Sequence, residues 1–163
     1  MSRTETELQG VTLLGCQGTK YSDQYNPAVL ESFKNKHPEN EYLVTFTCPE
    51  FTSLCPKTGQ PDFGKIIINY IPREDMVESK SLFISIRKCQ CISLEGCFRL
   101  KSAEDAKSMK KDLVKLMNPR YLEVKGIFMP RGGISILPFA NYADEEHEEM
   151  RKARLLANFT ENF

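Results

Sequence analysis

Two β-rich stretches, Glu41-Tyr42-Leu43-Val44-Thr45-Phe46-Thr47-Cys48 and Lys65-Ile66-Ile67-Ile68-Asn69-Tyr70-Ile71, enclose the segment Pro49 to Gly64. In the first, Val44, Phe46 and Cys48 alternate with Leu43, Thr45 and Thr47, the two-residue period of a strand with one buried face. The second is an almost continuous apolar run of strand length. The sixteen residues between them hold three prolines and two glycines. That is longer than most structureless connections, so Pro49 to Gly64 reads as a candidate functional loop.

Working outward, Asn26 and Pro27 offer an N-cap and a first-turn proline for a short helix with Val29, Leu30 and Phe33 on its apolar side, stopping near His37 and Pro38. A third strand is expected from Ser81 through Phe83, Ile84 and Ile86. Ser102 stands three residues before Asp105, and Ala106, Met109, Leu113, Leu116 and Met117 recur at helical spacing until Pro119. Tyr121 to Phe128 reads as a strand, Gly132-Gly133 leads into a last short strand at Ile134 to Phe139, and Asp144 to Ala157 reads as a charged helix. Strands outnumber helices and most connections are too short for crossover helices. The fold class is therefore α+β, an antiparallel sheet with helices on one face.

The chain has 163 residues, with 22 basic and 22 acidic side chains and formal charge zero. That length suits one domain, 1–163, without repeats or low-complexity tracts. The balanced charge gives no field to draw nucleic acid, and no apolar run approaches the ~18 residues of a bilayer span, so neither a nucleic-acid nor a membrane partner is expected. The first residues, Met1-Ser2-Arg3-Thr4-Glu5-Thr6-Glu7, lack the apolar core of a secretory leader. A cytoplasmic location follows as the expectation, and in that reducing compartment the six cysteines should be free thiols.

Within the loop, Cys55 and Asp62 put a thiol and a carboxylate seven residues apart, with Ser53 and Lys57 as polar neighbours. A thiolate favoured by nearby positive charge is a nucleophile, and a carboxyl beside it can pass a proton. The residues alone leave a second reading open, with Cys55 a small buried hydrophobe and Asp62 a turn residue after Pro61.

The string from Cys48 to Phe63, Cys-Pro-Glu-Phe-Thr-Ser-Leu-Cys-Pro-Lys-Thr-Gly-Gln-Pro-Asp-Phe, closely resembles the signature of the queuosine-pathway nitrile reductases, the NADPH-dependent 7-cyano-7-deazaguanine reductases. Leu8 to Gly15, Val77 to Leu82 and Pro130 to Ile134 match the same family, and the likeness spans most of residues 7 to 82 and 112 to 142. In length the chain is similar to the short, single-module branch. The resemblance implies a tunnelling fold (T-fold), in which several subunits close into a barrel and the sites lie between subunits of a homo-oligomer. It implies that Cys55 attacks the nitrile carbon of the deazapurine to give a thioimide, that Asp62 protonates the nitrogen, and that NADPH supplies two hydrides to yield the aminomethyl product on the way to queuosine in tRNA.

Carried over position by position, Val77, Glu78 and Ser79 resemble the substrate-binding run, with the Glu78 carboxylate facing the donor edge of a guanine-like base. Lys80 and Ser81 resemble the cofactor motif, and Arg131 with Gly132 and Gly133 would add a guanidinium and accessible backbone amides for phosphate. Read alone, these are also ordinary surface charges and turn glycines, and no Rossmann fingerprint accompanies them.

After Leu82 the pattern breaks. Phe83 replaces the family's lysine, the run Arg87 to Cys97 is foreign to it, and no histidine occurs between 38 and 146 to serve the family's Phe-His-Glu element. Glu104 or Glu95 would have to stand in for its glutamate. The alternative function is a catalytically impaired oligomeric protein that binds the deazapurine without turnover. Cys89, Cys91 and Cys97 with Cys48 could complete a thiolate shell for zinc, but no C-x2-C pair is present, and no metal is expected. His37 and His147 read as surface residues.

Overall fold

The computed structural model describes residues 27–54, 60–88 and 103–160. Its central sheet has four antiparallel strands in the order β2-β3-β5-β6: β2 (Val44–Leu54), β3 (Pro61–Ile71), β5 (Tyr121–Phe128) and β6 (Phe139–Ala143). A two-stranded ribbon pairs β1 (Ser32–Lys34) with β4 (Asp75–Val77). The helices are α1 (Ser79–Lys88), α2 (Ala103–Met117) and α3 (Glu148–Thr160). The α+β class and the antiparallel sheet are as the pattern predicts. Residues 27–29 form only a 3-10 turn before β1, in place of the short helix.

Even-numbered residues of β3 and β5 supply the core. Ile66, Ile68 and Tyr70 lie in register with Gly126, Val124 and Leu122, and Leu82 and Ile86 of α1 with Met109, Leu113 and Met117 of α2 join them. Each such aliphatic side chain contributes roughly 1.5–3 kcal/mol of transfer free energy. The helix read from Ser102 to Pro119 is α2, closed by Asn118 at a φ of 43°. Left-handed backbone at that position ends a helix, and Pro119 cannot continue it.

Much of the expected loop is strand. β2 continues to Leu54 and β3 begins at Pro61, so the hairpin's arms extend well beyond Cys48 and Lys65. The register shifts between Cys48 and Phe51, where Pro49 and Glu50 form a bulge. Proline cannot donate to a ladder, and the extra residue moves the inward row from even to odd positions. Phe51, not Pro49 or Glu50, therefore enters the core, 2% exposed. Its ring meets Phe128 edge to face at 6.0 Å across Gly64, the residue in register with both.

The third expected strand is a helix. Ile84 and Ile86 suggest alternation, yet Leu82, Ile84, Ser85 and Ile86 are all buried, the wide face of a helix held against β2. Glu78 starts it: its carbonyl accepts from Leu82 N at 3.0 Å, and its carboxylate accepts from the amides of Lys80 at 2.8 Å and Ser81 at 2.7 Å. Glutamate is an unusual N-cap, so the signal is easily overlooked.

The helices do not share one face. α3 meets the opposite side through odd-numbered residues: Arg154 pairs with Glu123, and Asn141 Nδ2 donates to Arg151 O at 2.8 Å. The expected strand at 134–139 is reduced to one bridge, Arg131 with Ile134, and the last strand forms at β6. His147 is 7% exposed instead of lying on the surface. Its ring nitrogens sit 2.7 Å from Asp144 Oδ1 and 3.2 Å from Glu41 Oε1, while Arg73 also pairs with Asp144. Among the described residues no helix is long and apolar enough to cross a membrane.

Candidate active site

Asp62 occupies the second position of β3, on the row of Gly64, Ile66, Ile68 and Tyr70. A carboxylate thus ends an otherwise apolar inward row, and it is 4% exposed. Arg131 answers it: Nε stands 2.6 Å from Asp62 Oδ1, and an Nη2 hydrogen bond goes to the Pro61 carbonyl. A buried carboxylate paired with a cation is a recurrent feature of chemical sites.

The arginine is delivered by a two-glycine turn. Met129 N donates to Phe63 O at 3.0 Å, which carries the β5–β3 ladder past Phe128, and Arg131 and Ile134 exchange backbone hydrogen bonds of 3.1 and 3.0 Å. Gly132 and Gly133 close the turn at φ 57° and 81°. Both central residues of such a hairpin turn need positive φ, which is why the two glycines sit there. No heavy atom lies within 4 Å of where either would carry a Cβ, so the turn's outer surface is open.

The second group of candidates gathers where β4 passes into α1. Val77 ends β4 and is buried, Glu78 is 3% exposed, and the Glu78 amide donates to Glu31 O at 2.8 Å. Besides its two amide partners, the Glu78 carboxylate is 3.3 Å from the hydroxyl of the exposed Ser79. The cap presents that carboxylate in one orientation. Lys80 follows in the first turn of α1. The Ser81 hydroxyl is fully buried, donating to Glu78 O at 2.7 Å and accepting from Glu31 N at 3.0 Å. It ties α1 to the segment before β1, and in this arrangement its oxygen does not front an opening. Glu104 takes its place in the first turn of α2.

Cys55, Glu95 and the cysteines at 89, 91 and 97 lie outside the described residues. Cys48 lies within them, a free half-buried thiol whose pKa is pushed up by burial, which disfavours the thiolate. Asp144, Glu146 and His147 each bring a possible ligand atom within 4.8 Å of the others. Both ring nitrogens of that histidine are already against carboxylates, so the cluster reads as a structural clasp for the start of α3.

The Asp62–Arg131 pair and the capping role of Glu78 were not legible as contacts. They depend on pairings between residues far apart in sequence. The signals that could have pointed to them are a carboxylate on the inward parity of β3 and a carboxylate immediately before the serine that opens a helix.

A sequence-family model described as QueF-like protein matches residues 61–147. The NADPH-dependent 7-cyano-7-deazaguanine reductase of Bacillus velezensis is 54% identical over 159 residues, covering 96% of this chain and 93% of that protein. The reductases of the same name from Neisseria gonorrhoeae and Bacillus subtilis are 52% and 53% identical over 158 residues, each covering 95% of this chain and respectively 96% and 92% of their own. One solved structure, that of the archaeosine synthase QueF-Like in the apo form, has a TM-score of 0.45 and 19% identity, covering 63% of this chain and 94% of that one. Identity above half over nearly the whole of both sequences shows that this chain belongs to the family of the NADPH-dependent 7-cyano-7-deazaguanine reductases.

Proposed function

We propose that this chain reduces the nitrile of 7-cyano-7-deazaguanine to the aminomethyl group, with Cys55 as nucleophile and Asp62 as proton donor. The observation that carries the reading is the buried Asp62 carboxyl at the end of β3, in the strand that follows the cysteine, within a chain of this family. Sulfur is a soft nucleophile suited to an sp carbon. Its addition forms one S–C bond and consumes one π bond of C≡N, and the nitrogen takes a proton from the Asp62 carboxyl. The proton lost by the thiol replaces the one Asp62 gave, so the thioimide has the composition of protein plus nitrile.

NADPH, when bound, supplies hydride, and two hydrides with two protons convert C≡N into CH2–NH2. The residues present fit a phosphate-bearing cofactor: the Arg131 side chain is 42% exposed, its glycine turn is open on the outside, and Lys80 adds a second cation. A phosphate role for Ser81 would fall to its backbone, because its hydroxyl is used internally. Glu78 and the Val77–Ser79 backbone would hold the base, with Glu104 a further candidate from α2. Among the described residues β2 and β6 are the outer strands of the sheet, which supports the oligomeric part of the reading, in which subunits join sheet to sheet into a barrel and place the site between them.

Intact mass spectrometry after incubation with 7-cyano-7-deazaguanine and no cofactor tests the nucleophile. An added mass equal to the nitrile, absent in Cys55→Ala, is expected, and an unmodified wild-type protein would overturn the proposal. NADPH oxidation in the presence of the nitrile then separates an enzyme from a protein that only binds, the issue raised by the divergent run after Leu82.

A further inference from the structure

We infer that Tyr70 is a positioning residue for base recognition, its phenol oxygen taking the Val77 amide that β1 leaves free and so fixing the backbone that aims the Glu78 carboxylate. The inference rests on the proposed role of Glu78 and extends it to a core side chain that touches no substrate. Tyr70 lies in register with Val44 of β2 and Leu122 of β5, fully buried, its ring nearly parallel to that of Phe46 at 6.2 Å. From Gly64 to Tyr70 the inward row of β3 is apolar except for this one hydroxyl. Among the described residues no group meets it at full hydrogen-bond geometry. A buried hydroxyl left short of partners weakens folding and calls for a reason, because phenylalanine would fill the same space without it.

The β1–β4 register supplies the reason. Glu78 N donates to Glu31 O and Asn35 N to Glu74 O, each at 2.8 Å, and the Ser32–Val77 pair falls next to the first of these. Bonded and non-bonded pairs alternate along an antiparallel ribbon, so the Val77 amide points away from β1. That amide acts on the Tyr70 oxygen: burial and the neighbouring Tyr42 phenol push the Tyr70 pKa well above the ordinary tyrosine value, and the Val77 amide draws it back. The phenol therefore stays neutral, a fixed dipole. Glu78 is thus held from two sides, its own amide by Glu31 and the preceding one by Tyr70. Tyr42 cannot take that place, since its hydroxyl donates to Asn35 Oδ1 at 2.7 Å.

Affinity for the aminomethyl product, which carries the base but no nitrile, is measured by calorimetry without cofactor in wild type, Tyr70→Phe, Glu78→Gln, the double variant and Tyr42→Phe. Tyr70→Phe is expected to weaken binding about three- to tenfold, the worth of one neutral hydrogen bond. In the Glu78→Gln background it should add less than about twofold, because a residue that acts through the carboxylate then has nothing left to position. In turnover, KM for the nitrile should rise by the same factor while kcat and KM for NADPH hold, the pattern of lost uniform binding. Tyr42→Phe should bind as wild type does. Undiminished affinity in Tyr70→Phe, an equal loss in both Glu78 backgrounds, or an equal loss in Tyr42→Phe, which would mark a general loosening of β4, would each overturn the inference. Full affinity in Glu78→Gln, or none in wild type, would instead overturn the base-site reading on which it rests. The melting temperature of Tyr70→Phe, which keeps the ring, checks that the fold is retained.

Discussion

Arg154 grips Glu123 with two nitrogens, Nη2 at 2.9 Å from Oε1 and Nε at 3.1 Å from Oε2, and so fastens α3 to the face of the sheet turned away from the main core. No residue of α3 is buried, so polar contacts rather than apolar packing hold it there. Tyr121 donates to the same carboxylate at 2.6 Å and Asn69 at 2.7 Å, and Thr45 donates to Asn69 at 2.7 Å. Arg154→Ala would leave a buried charge with only neutral partners. Removing one partner of a fully buried pair costs about 3–5 kcal/mol. Because the arginine is half exposed, the expected loss is nearer 1–3 kcal/mol. Urea unfolding measures it, and a loss below 0.5 kcal/mol, of the order of an ordinary surface change, would show that α3 is held by something else.

The same carboxylate predicts a pH dependence. Burial pushes Glu123 up, and the hydrogen bonds from Arg154, Tyr121 and Asn69 more than offset it, so its pKa lies below the ordinary glutamate value. Asp144 is likewise held low: burial raises it, but hydrogen bonds from His147 and the charge of Arg73 prevail. A carboxyl whose pKa is depressed by folding contributes stability that is complete above its unfolded pKa and disappears as pH falls through the folded one. Unfolding free energy should therefore fall on acidification below about pH 4.5, the usual carboxylate range. Glu123→Gln should be less stable at pH 7 and lose less between pH 5 and 3. An unchanged acid slope in that variant would refute the assignment.

Gly64 illustrates a core contact made by an absent side chain. A Cβ there would stand 3.0 Å from the Ile127 carbonyl oxygen and 3.0 Å from Phe128 Cδ1. The first of these is backbone and cannot swing aside. Gly64→Ala should cost about 1–3 kcal/mol, in the range of overpacked cores, and lower the melting temperature accordingly. Phe51→Leu in the same background should recover part of the loss by making room for the Phe128 ring. A fully stable Gly64→Ala protein would mean that the edge-to-face pair does not set the geometry of this end of the sheet.

These contacts explain where reading the sequence worked and where it stopped. Helix α2 and strand β5 were legible because each carries one dominant periodicity with a stop at Pro119 or beyond Phe128, and β3 was legible in part, as an apolar run from Lys65 to Ile71. β2 was cut short because the bulge at Pro49 and Glu50 shifts the buried parity, and a period-two search ends where the parity changes. α1 was mistaken for a strand because Ile84 and Ile86 alternate and its cap is a glutamate. The pairing of Cys55 with Asp62 is proposed only through likeness to a known signature, since a thiol and a carboxyl seven residues apart carry no geometric meaning by themselves. Arg131, the ion-pair partner of Asp62, lies far from it in sequence, and only the β3–β5 register brings the two together.

Glu78 caps α1, and substitution can separate that role from its proposed contact with the base. As the cap of α1, its carboxylate oxygens satisfy the amides of Lys80 and Ser81, which the helix cannot satisfy itself. Glu78→Ala should therefore destabilise the protein by about 1 kcal/mol, the usual worth of a cap. Glu78→Gln keeps a carbonyl acceptor and should restore much of that stability. If the carboxylate also receives the donor edge of the base, the amide cannot replace it, because its nitrogen would meet donors with a donor. A hydrogen bond to a charged group is worth about 1.5–3 kcal/mol, so affinity for the aminomethyl product, measured by calorimetry without cofactor, should drop roughly ten- to a hundredfold in both variants. Stability rescued by glutamine with affinity still lost is the expected pattern. Should glutamine restore both, the carboxylate acts only as a cap and base recognition must be sought elsewhere, with Glu104 of α2 the next candidate.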